Sequence, residues 1–382
     1  MKTLVNIITE DCPIPAYLFI KEKYREGDRI MYISAKDTED DMAWLSAIDG
    51  VSSDFIEEIV LKKDIDEFKY EKICRAIKFH LKKGVKYCVN LAGGTRYMAL
   101  AVQQVFEEFD AEYYYTNVED NTIIKSKYDN SIYDDDDIIL PIKYRMNLSE
   151  YLHCHKLENN LEKREHIPGM SCEMAENMFR LFSNSSFTSR EYDMLELLRE
   201  KYRDKRHTDI AEIEQKLPGI NVREFLNKTN IIPVKRRLTE AQVEWLTGGW
   251  LEEYMYYKVK EIIAPDDLAT GVKIRRKGVR HSNELDVIFI KNNQLFVIEC
   301  KTGVKTESMF SEIVYKACAL KEALLGVSCH SYIASLKQDS MDDLKKIASS
   351  MDIRFWDYDV MTRNLNKRMK DINEMTRLYS FS

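Results

Sequence analysis

Residues 281–301 read HSNELDVIFIKNNQLFVIECK. Two apolar strands, Glu284 to Ile290 and Gln294 to Cys300, flank the polar connection Lys291-Asn292-Asn293, which has the length of a hairpin turn. Side chains alternate along a strand, so Glu299 and Lys301 share one face and Cys300 takes the other. An antiparallel turn returns the second strand to the level of Asp286, and two acids and an amine then meet at one sheet edge. Two carboxylates can hold a hard cation, Mg²⁺ or Mn²⁺, through oxygen. Such an ion stabilises charge on a phosphodiester and acidifies water, and a lysine beside it can orient or deprotonate that water. The same charges also suit a surface hairpin with a salt bridge, so the surrounding chain has to decide between the two.

Upstream, Thr247-Gly248-Gly249-Trp250 precedes a helix with Leu251, Tyr254 and Val259 among its candidates for burial. Glu253 of that helix is placed to project toward the hairpin as a third acidic ligand. A strand from Ala269 to Arg276 leads into the hairpin, and Thr306 to Leu325 follows as a helix. Ser331–Ser335 and Ile353–Trp356 read as further strands.

The N-terminal third alternates strand and helix: strands at Leu4–Ile8, Ile30–Ser34, Phe55–Leu61 and Val85–Leu91, with helices between them. That order predicts a parallel, doubly wound α/β sheet whose ligands sit beyond the C-terminal strand ends. The fourth strand runs into Gly93-Gly94-Thr95-Arg96, which opens a helix to about Phe109. Glycines there let backbone N–H groups approach a ligand, Thr95 can donate a hydrogen bond, and Arg96 adds charge. This is neither the dinucleotide fingerprint nor a phosphate-binding P-loop, so NAD and ATP are not the expected ligands. Beyond Phe109, strands at Ala111–Thr116, Thr122–Ser126 and Ile138–Tyr144 finish the sheet in hairpins. The acidic run Asp134–Asp137 reads as a solvated loop, and Tyr113, Tyr114 and Tyr115 as core and rim.

Residues 146–240 read as mainly helical. Basic Lys235-Arg236-Arg237 admits a winged-helix-like module, but a helical linker packing the outer domains together accounts for the pattern better. His153-Cys154-His155 has metal-type ligands, yet consecutive residues point apart and no partner cluster accompanies them. With 382 residues, 45% apolar and 32% charged, the chain has the composition of a soluble protein of two or three domains. Its longest apolar runs are strand-sized, so no membrane span is expected. The start MKTLVNIITEDCPIP reads as a first strand rather than a signal peptide. Eight cysteines without C-x-x-C spacing fit free thiols in a reducing cytoplasm, the expected location. Residues 1–150 carry 20 Lys+Arg against 29 Asp+Glu and the remainder 37 against 35, so nucleic acid binding would need a local groove. Lys273, Arg275, Arg276, Lys277 and Arg280 offer one.

Helix, three strands, helix, strand, with the acids and lysine on the hairpin, resembles the PD-(D/E)xK nuclease core of restriction endonucleases and resolvases. The resemblance implies Asp286 as the first acidic ligand, Glu299 as the acid of the ExK element, Lys301 as the catalytic lysine and Glu253 as the acid of the first helix. Leu285 stands where the name-giving proline would be, and Glu284 is a further acid beside the site. The N-terminal third, with its strand-end Gly-Gly-Thr-Arg and terminal hairpins, resembles a CARF domain, the CRISPR-associated Rossmann-like sensor of cyclic oligoadenylates. Together they resemble the CRISPR ancillary nucleases of type III antiviral defence. The expected architecture is α/β: a Rossmann-like CARF sensor over 1–146, a helical linker region over 147–240 and a restriction-endonuclease-like domain over 241–382. The resemblance implies a homodimer binding cyclic tetra-adenylate across its two-fold axis and cleaving DNA or RNA with Mn²⁺ or Mg²⁺. Candidate ligand contacts are Thr9, Glu10, Asp11, Cys12, Pro13, Ala35, Lys36, Asp37, Thr38, Gly93, Gly94, Thr95, Arg96, Tyr97, Thr116 and Asn117. Two other readings stay open: a ligand-responsive nucleic-acid-binding regulator whose nuclease fold is silent, and a resolvase-like repair enzyme that ignores cyclic oligoadenylate.

Overall fold

The computed structural model describes residues 1–8, 13–34, 50–61, 69–126, 138–161, 171–203, 208–276, 278–302, 307–321, 329–336 and 342–376. Within them seven strands form the first sheet: β1 (Thr3–Ile8), β2 (Arg29–Ser34), β3 (Ile56–Val60), β4 (Tyr87–Asn90), β5 (Ala111–Asn117), β6 (Thr122–Lys125) and β7 (Ile138–Pro141). Their order is β3-β2-β1-β4-β5-β6-β7, parallel through β5 and antiparallel beyond. The strand order reverses between β1 and β4, which is where a doubly wound sheet opens a crevice. All six residues of β1 and all four of β4 are buried, as strands covered on both faces must be.

Strands β8 (Leu157–Asn159), β9 (Thr208–Asp209) and β10 (Arg237–Leu238) come from the middle of the chain. There β9 and β10 form a ribbon beside the helices Ser189–Arg203, Ile210–Lys216 and Val222–Lys228. Lys235 and Arg236, both at positive φ, turn the backbone so that Val234 and Arg237 pair. The central helices share one apolar core with the strands of the hairpin. Phe179 stacks on Tyr254 at 4.1 Å and Phe182 on Trp250 at 4.8 Å, joining the central helix Cys172–Ser183 to the helix Trp250–Lys258.

The second large sheet runs β15-β14-β13-β12-β11-β8, with β11 (Asp267–Arg276), β12 (Asn283–Lys291), β13 (Gln294–Lys301), β14 (Cys329–Ser335) and β15 (Ile353–Trp356). Its edge strand β8 is donated by residues that the sequence assigns to the linker. Along the hairpin, Val287, Phe289, Phe296, Ile298 and Cys300 join a core with the central helices. The intervening Ile288, Ile290, Leu295 and Val297 join another with Leu4 and Ile8 of β1, the helix Ile14–Lys23 and the helix Leu148–Cys154. One apolar core therefore runs from the first sheet into the second. Ile14–Lys23 buries every residue from Ile14 to Ile20, as a helix apolar on all sides must. No helix among the described residues is long and apolar enough to cross a membrane.

Candidate active site and ligand pocket

The hairpin turns on Asn292 and Asn293, both at positive φ, which matches the right-handed twist of the strands they join. Its ladder pairs Val287 with Ile298, and one step further Asp286 faces Glu299. The amine of Lys301 completes the set, with Nζ 2.8 Å from Glu299 Oε1 and 3.2 Å from Asp286 Oδ2. Asp286 Oδ2 also accepts from the Cys300 backbone N–H at 2.7 Å, which fixes the carboxylate against the neighbouring strand. Lys316, on the helix Glu307–Leu320, lies 3.8 Å from Glu299. Cys300 is buried in the core, as alternation requires.

Both carboxylates are buried, at 9% and 8% exposure, and that sets their electrostatics. Burial and the facing Glu299 push Asp286 up to about 6, against the pull of Lys301. Burial alone would lower Lys301, but Asp286 and Glu299 outweigh it and hold its pKa above that of a free lysine. As it stands, Lys301 is an ammonium that can orient water or stabilise charge, and not a base.

Glu253 does not complete this set. Among the described residues no three His, Cys, Asp or Glu are grouped to hold a metal ion. Glu253 is buried on the helix Trp250–Lys258. A helix turns about 100° per residue, and it is Glu252 whose charge reaches Cys300, together with Asp286 and Glu299. Glu284 is also set apart, 3.9 Å from Lys273. The donor chemistry that fits a hard divalent cation is the Asp286 and Glu299 pair, two oxygen ligands already sharing one cation. Of the basic groove, Lys273 and Arg275 are engaged with Glu284 and Glu158, and Lys277 lies outside the described residues. The His153-Cys154-His155 ligands do not assemble: Cys154 joins the apolar core, while His155 packs on the Tyr151 ring.

In the first sheet, β1, β2, β4 and β5 run parallel, so their C-terminal ends share one edge. Thr9, Glu10, Asp11, Cys12, Ala35, Lys36, Asp37 and Thr38 follow two of those ends but lie outside the described residues. Pro13 is buried and starts the helix Ile14–Lys23. Gly93 and Gly94, at φ 125° and 68°, pass so close to β1 that a Cβ on either would sit 2.4 Å from Ile7. Thr95 caps the helix Arg96–Phe106 by accepting from the Met98 N–H at 3.2 Å, which leaves its O–H to donate. Arg96 and Tyr97 are exposed at the rim, with Tyr97 edge-on to Tyr70. Thr116 and Asn117 are not open contacts. Thr116 is 2% exposed and gives both its N–H and hydroxyl to Asn90 Oδ1, while Asn117 closes the β5–β6 turn onto Asp120. Tyr115, the residue before Thr116 and 52% exposed, is the side chain that strand β5 presents outward. A groove of about 400 Å³ between the helices Tyr70–His80 and Arg96–Phe106 belongs to neither site; it is lined by charges such as Lys78 and Glu108 that pair with each other.

The two sites are joined by the hairpin turn. Asn293 is fully buried and donates to Asn121 Oδ1 at 2.6 Å and Tyr144 O at 2.9 Å, while its Oδ1 accepts from Met146 N at 2.9 Å. Gln294 donates to Glu119 O at 2.6 Å. Asn121 and Glu119 belong to the turn that follows Thr116 and Asn117. Nothing in the sequence marks Asn293 as more than a turn residue, because its partners lie about 150 positions or more away.

Two family descriptions match the sequence: a Card1 CARF domain over residues 3–151 and the endonuclease domain of Card1-like proteins over residues 239–375. Among solved structures, the chain is similar to protein VC1899 from Vibrio cholerae, at TM-score 0.76 and 16% identity over 98% of both chains. It is also similar to Can2 from Sulfobacillus thermosulfidooxidans, solved in complex with cyclic tetra-adenylate, at TM-score 0.72 and 18% identity over 99% of this chain and 100% of that one. A type III CRISPR defence DNA nuclease activated by cyclic oligoadenylate aligns at TM-score 0.50 and 16% identity, over 87% of this chain and 45% of that one. At these identities the likeness is one of fold. No curated protein matches the sequence significantly.

Proposed function

The chain belongs to the CARF-domain proteins fused to a restriction-endonuclease-like nuclease, and from that premise we propose that it is a metal-dependent endonuclease switched on by a cyclic oligoadenylate, expected to be cyclic tetra-adenylate, in type III CRISPR antiviral defence. The observation that carries the reading is Lys301 Nζ held between Glu299 and Asp286 on the buried end of one hairpin. Asp286 and Glu299 would hold Mg²⁺ or Mn²⁺, which when bound supplies charge stabilisation at the phosphodiester and acidifies water. Lys301, fixed as an ammonium, orients the attacking water and offsets charge on the phosphate. The ligand pocket lies at the C-terminal edge of the first sheet, with Gly93 and Gly94 admitting close backbone approach and Arg96, Tyr97 and Tyr115 at its rim. A cyclic tetra-adenylate is two-fold symmetric, so the active species in this proposal is a homodimer with one ring across both copies. The β5–β6 turn and the Asn293 joint give ligand binding a contiguous route to the hairpin.

The test incubates purified protein with labelled single- and double-stranded DNA and RNA, with Mn²⁺ or Mg²⁺, with and without cyclic tetra-adenylate. Cleavage that depends on both additions is expected. Glu299→Ala is expected to abolish cleavage while ligand binding is unchanged, and full activity in that variant would overturn the assignment. Nucleic acid binding without product under every condition would instead favour a silent regulator, and cleavage indifferent to the ligand a repair enzyme.

A further inference from the structure

The helix Glu307–Leu320 packs over the face of the second sheet that carries the nuclease residues. Its Val314 is buried with Ile333 of β14, and Ile313 and Ala317 pack against the same cluster. Ile333 is the register partner of Glu299, whereas Cys300 pairs with Ala334 of the opposite core. Packing therefore fixes the backbone of this helix beside Glu299, and Lys316 reaches the site from it. Its Nζ lies 3.8 Å from Glu299 Oε1, the same oxygen that Lys301 Nζ approaches at 2.8 Å. Two ammonium groups converge on one carboxylate oxygen, one from the strand and one from the helix. They are held differently. Lys301 also donates to Asp286 at 3.2 Å and is 28% exposed, while Lys316 is 47% exposed.

The Lys316 contact is longer than a hydrogen bond, and half-exposed ion pairs contribute little to stability. Two like charges brought to one oxygen also repel each other. Lys316 is therefore released from Glu299 at small cost, and its flexible stem lets the amine move while the helix stays in place. The charge that calls for a second ammonium here is that of the substrate. A phosphodiester is an anion, and preorganised cations act on the charge that develops as it is cleaved. Once Asp286 and Glu299 take up a divalent cation, repulsion drives Lys316 off Glu299 and the phosphate becomes its partner. We propose that Lys316 is a substrate-contacting residue of the nuclease site, whose ammonium leaves Glu299 to pair with the phosphate of the strand being cut. The proposal rests on the nuclease reading above, and it gives the helix after the hairpin a share of the active site.

The test measures binding of end-labelled single-stranded DNA and RNA of one sequence to the full-length protein by fluorescence anisotropy. Saturating cyclic tetra-adenylate is present, Ca²⁺ replaces Mg²⁺ to limit turnover, and KCl is varied. Losing one phosphate contact reduces the slope of log affinity against log salt by about 0.7. K316M is expected to show that reduction with roughly tenfold weaker binding at low salt. A wild-type slope in K316M, whatever its Mn²⁺ affinity by calorimetry, would make Lys316 a counter-ion of Glu299 only and overturn the proposal. K316R is expected to keep the wild-type slope because the charge remains, and a slope reduced equally in K316R would overturn the proposal too. Should K316M fail to fold, K316Q is read in its place, with a wild-type slope again overturning the proposal. Absence of binding by the wild-type chain to either nucleic acid would overturn the nuclease reading, and this role with it. Wild-type binding and cleavage with an unchanged slope in K316M would overturn the role of Lys316 alone.

Discussion

At the scale of single residues, Lys301 decides how the two acids behave. Asp286 and Glu299 face each other across the hairpin and share the Lys301 amine as their counter-ion. Removing one partner of a buried charge set costs about 3–5 kcal/mol, since what remains is uncompensated. Lys301→Met is therefore expected to lose cleavage by about 10² or more and to melt several degrees below wild type in EDTA. Mg²⁺ should restore more of that loss in the variant than it adds to wild type, because the cation replaces the missing amine. Equal melting temperatures with and without Mg²⁺ in the variant would show that the two carboxylates do not share a cation site. Sequence alternation placed Glu299, Cys300 and Lys301 correctly because a strand has a two-residue period. No such period reaches Glu253, which lies on a helix whose roll against Cys172–Ser183 is set by packing such as Phe179 on Tyr254.

At the scale of elements, the turn after β12 serves as a joint. Asn293→Ala would strip a buried amide from Asn121, Tyr144 and Met146, each left unpaired at about 1–3 kcal/mol. The expected outcome is a lower melting temperature and weaker activation by cyclic tetra-adenylate, with ligand affinity nearly unchanged by calorimetry. Normal activation in that variant would remove the joint from the route between the sites. Gly93→Ala tests the pocket edge: the added methyl would meet the Ile7 carbonyl at 2.4 Å, at a φ that side chains rarely adopt. A loss of a few kcal/mol in chemical denaturation is expected. The Gly-Gly turn was readable because positive φ selects glycine. Thr116 was misplaced as a contact because β5 turns it inward to Asn90.

At the scale of the whole molecule, the shared core makes the N-terminal sheet and the hairpin one cooperative body. Leu4, Ile8 and Tyr17 pack in the same cluster as Ile288, Ile290 and Val297. Calorimetry is therefore expected to give a single main unfolding transition, moved upward as a whole by the pocket ligand; two well-separated transitions would contradict it. Acid stability follows from two half-buried histidines. Burial lowers His155 and His330 to about 4, from 6.5 in the free side chain. Between those values the unfolded chain binds more protons, so stability present above pH 6.5 is lost as pH falls toward 4, by about 1.4 kcal/mol per unit and group. Asp286, raised by burial, acts in the opposite sense over part of that window. Comparison with His155→Phe isolates the histidine: the variant should lose less melting temperature between pH 6.5 and 4.5 than wild type.

The sequence by itself determined what short-range rules govern: the hairpin, the parallel alternation of the first 110 residues, the glycine turn after β4 and the convergence of Asp286, Glu299 and Lys301. Each follows from a strand's two-residue period or a glycine's freedom of φ. Only the tertiary structure decided the rest. It drew β8 into the second sheet and packed the central helices into one core with the hairpin strands. It also placed Asn293 as the contact that ties the N-terminal sheet to the nuclease hairpin. Those outcomes depend on surfaces brought together from distant parts of the chain, where burial and hydrogen-bond satisfaction, and not local pattern, choose the partner.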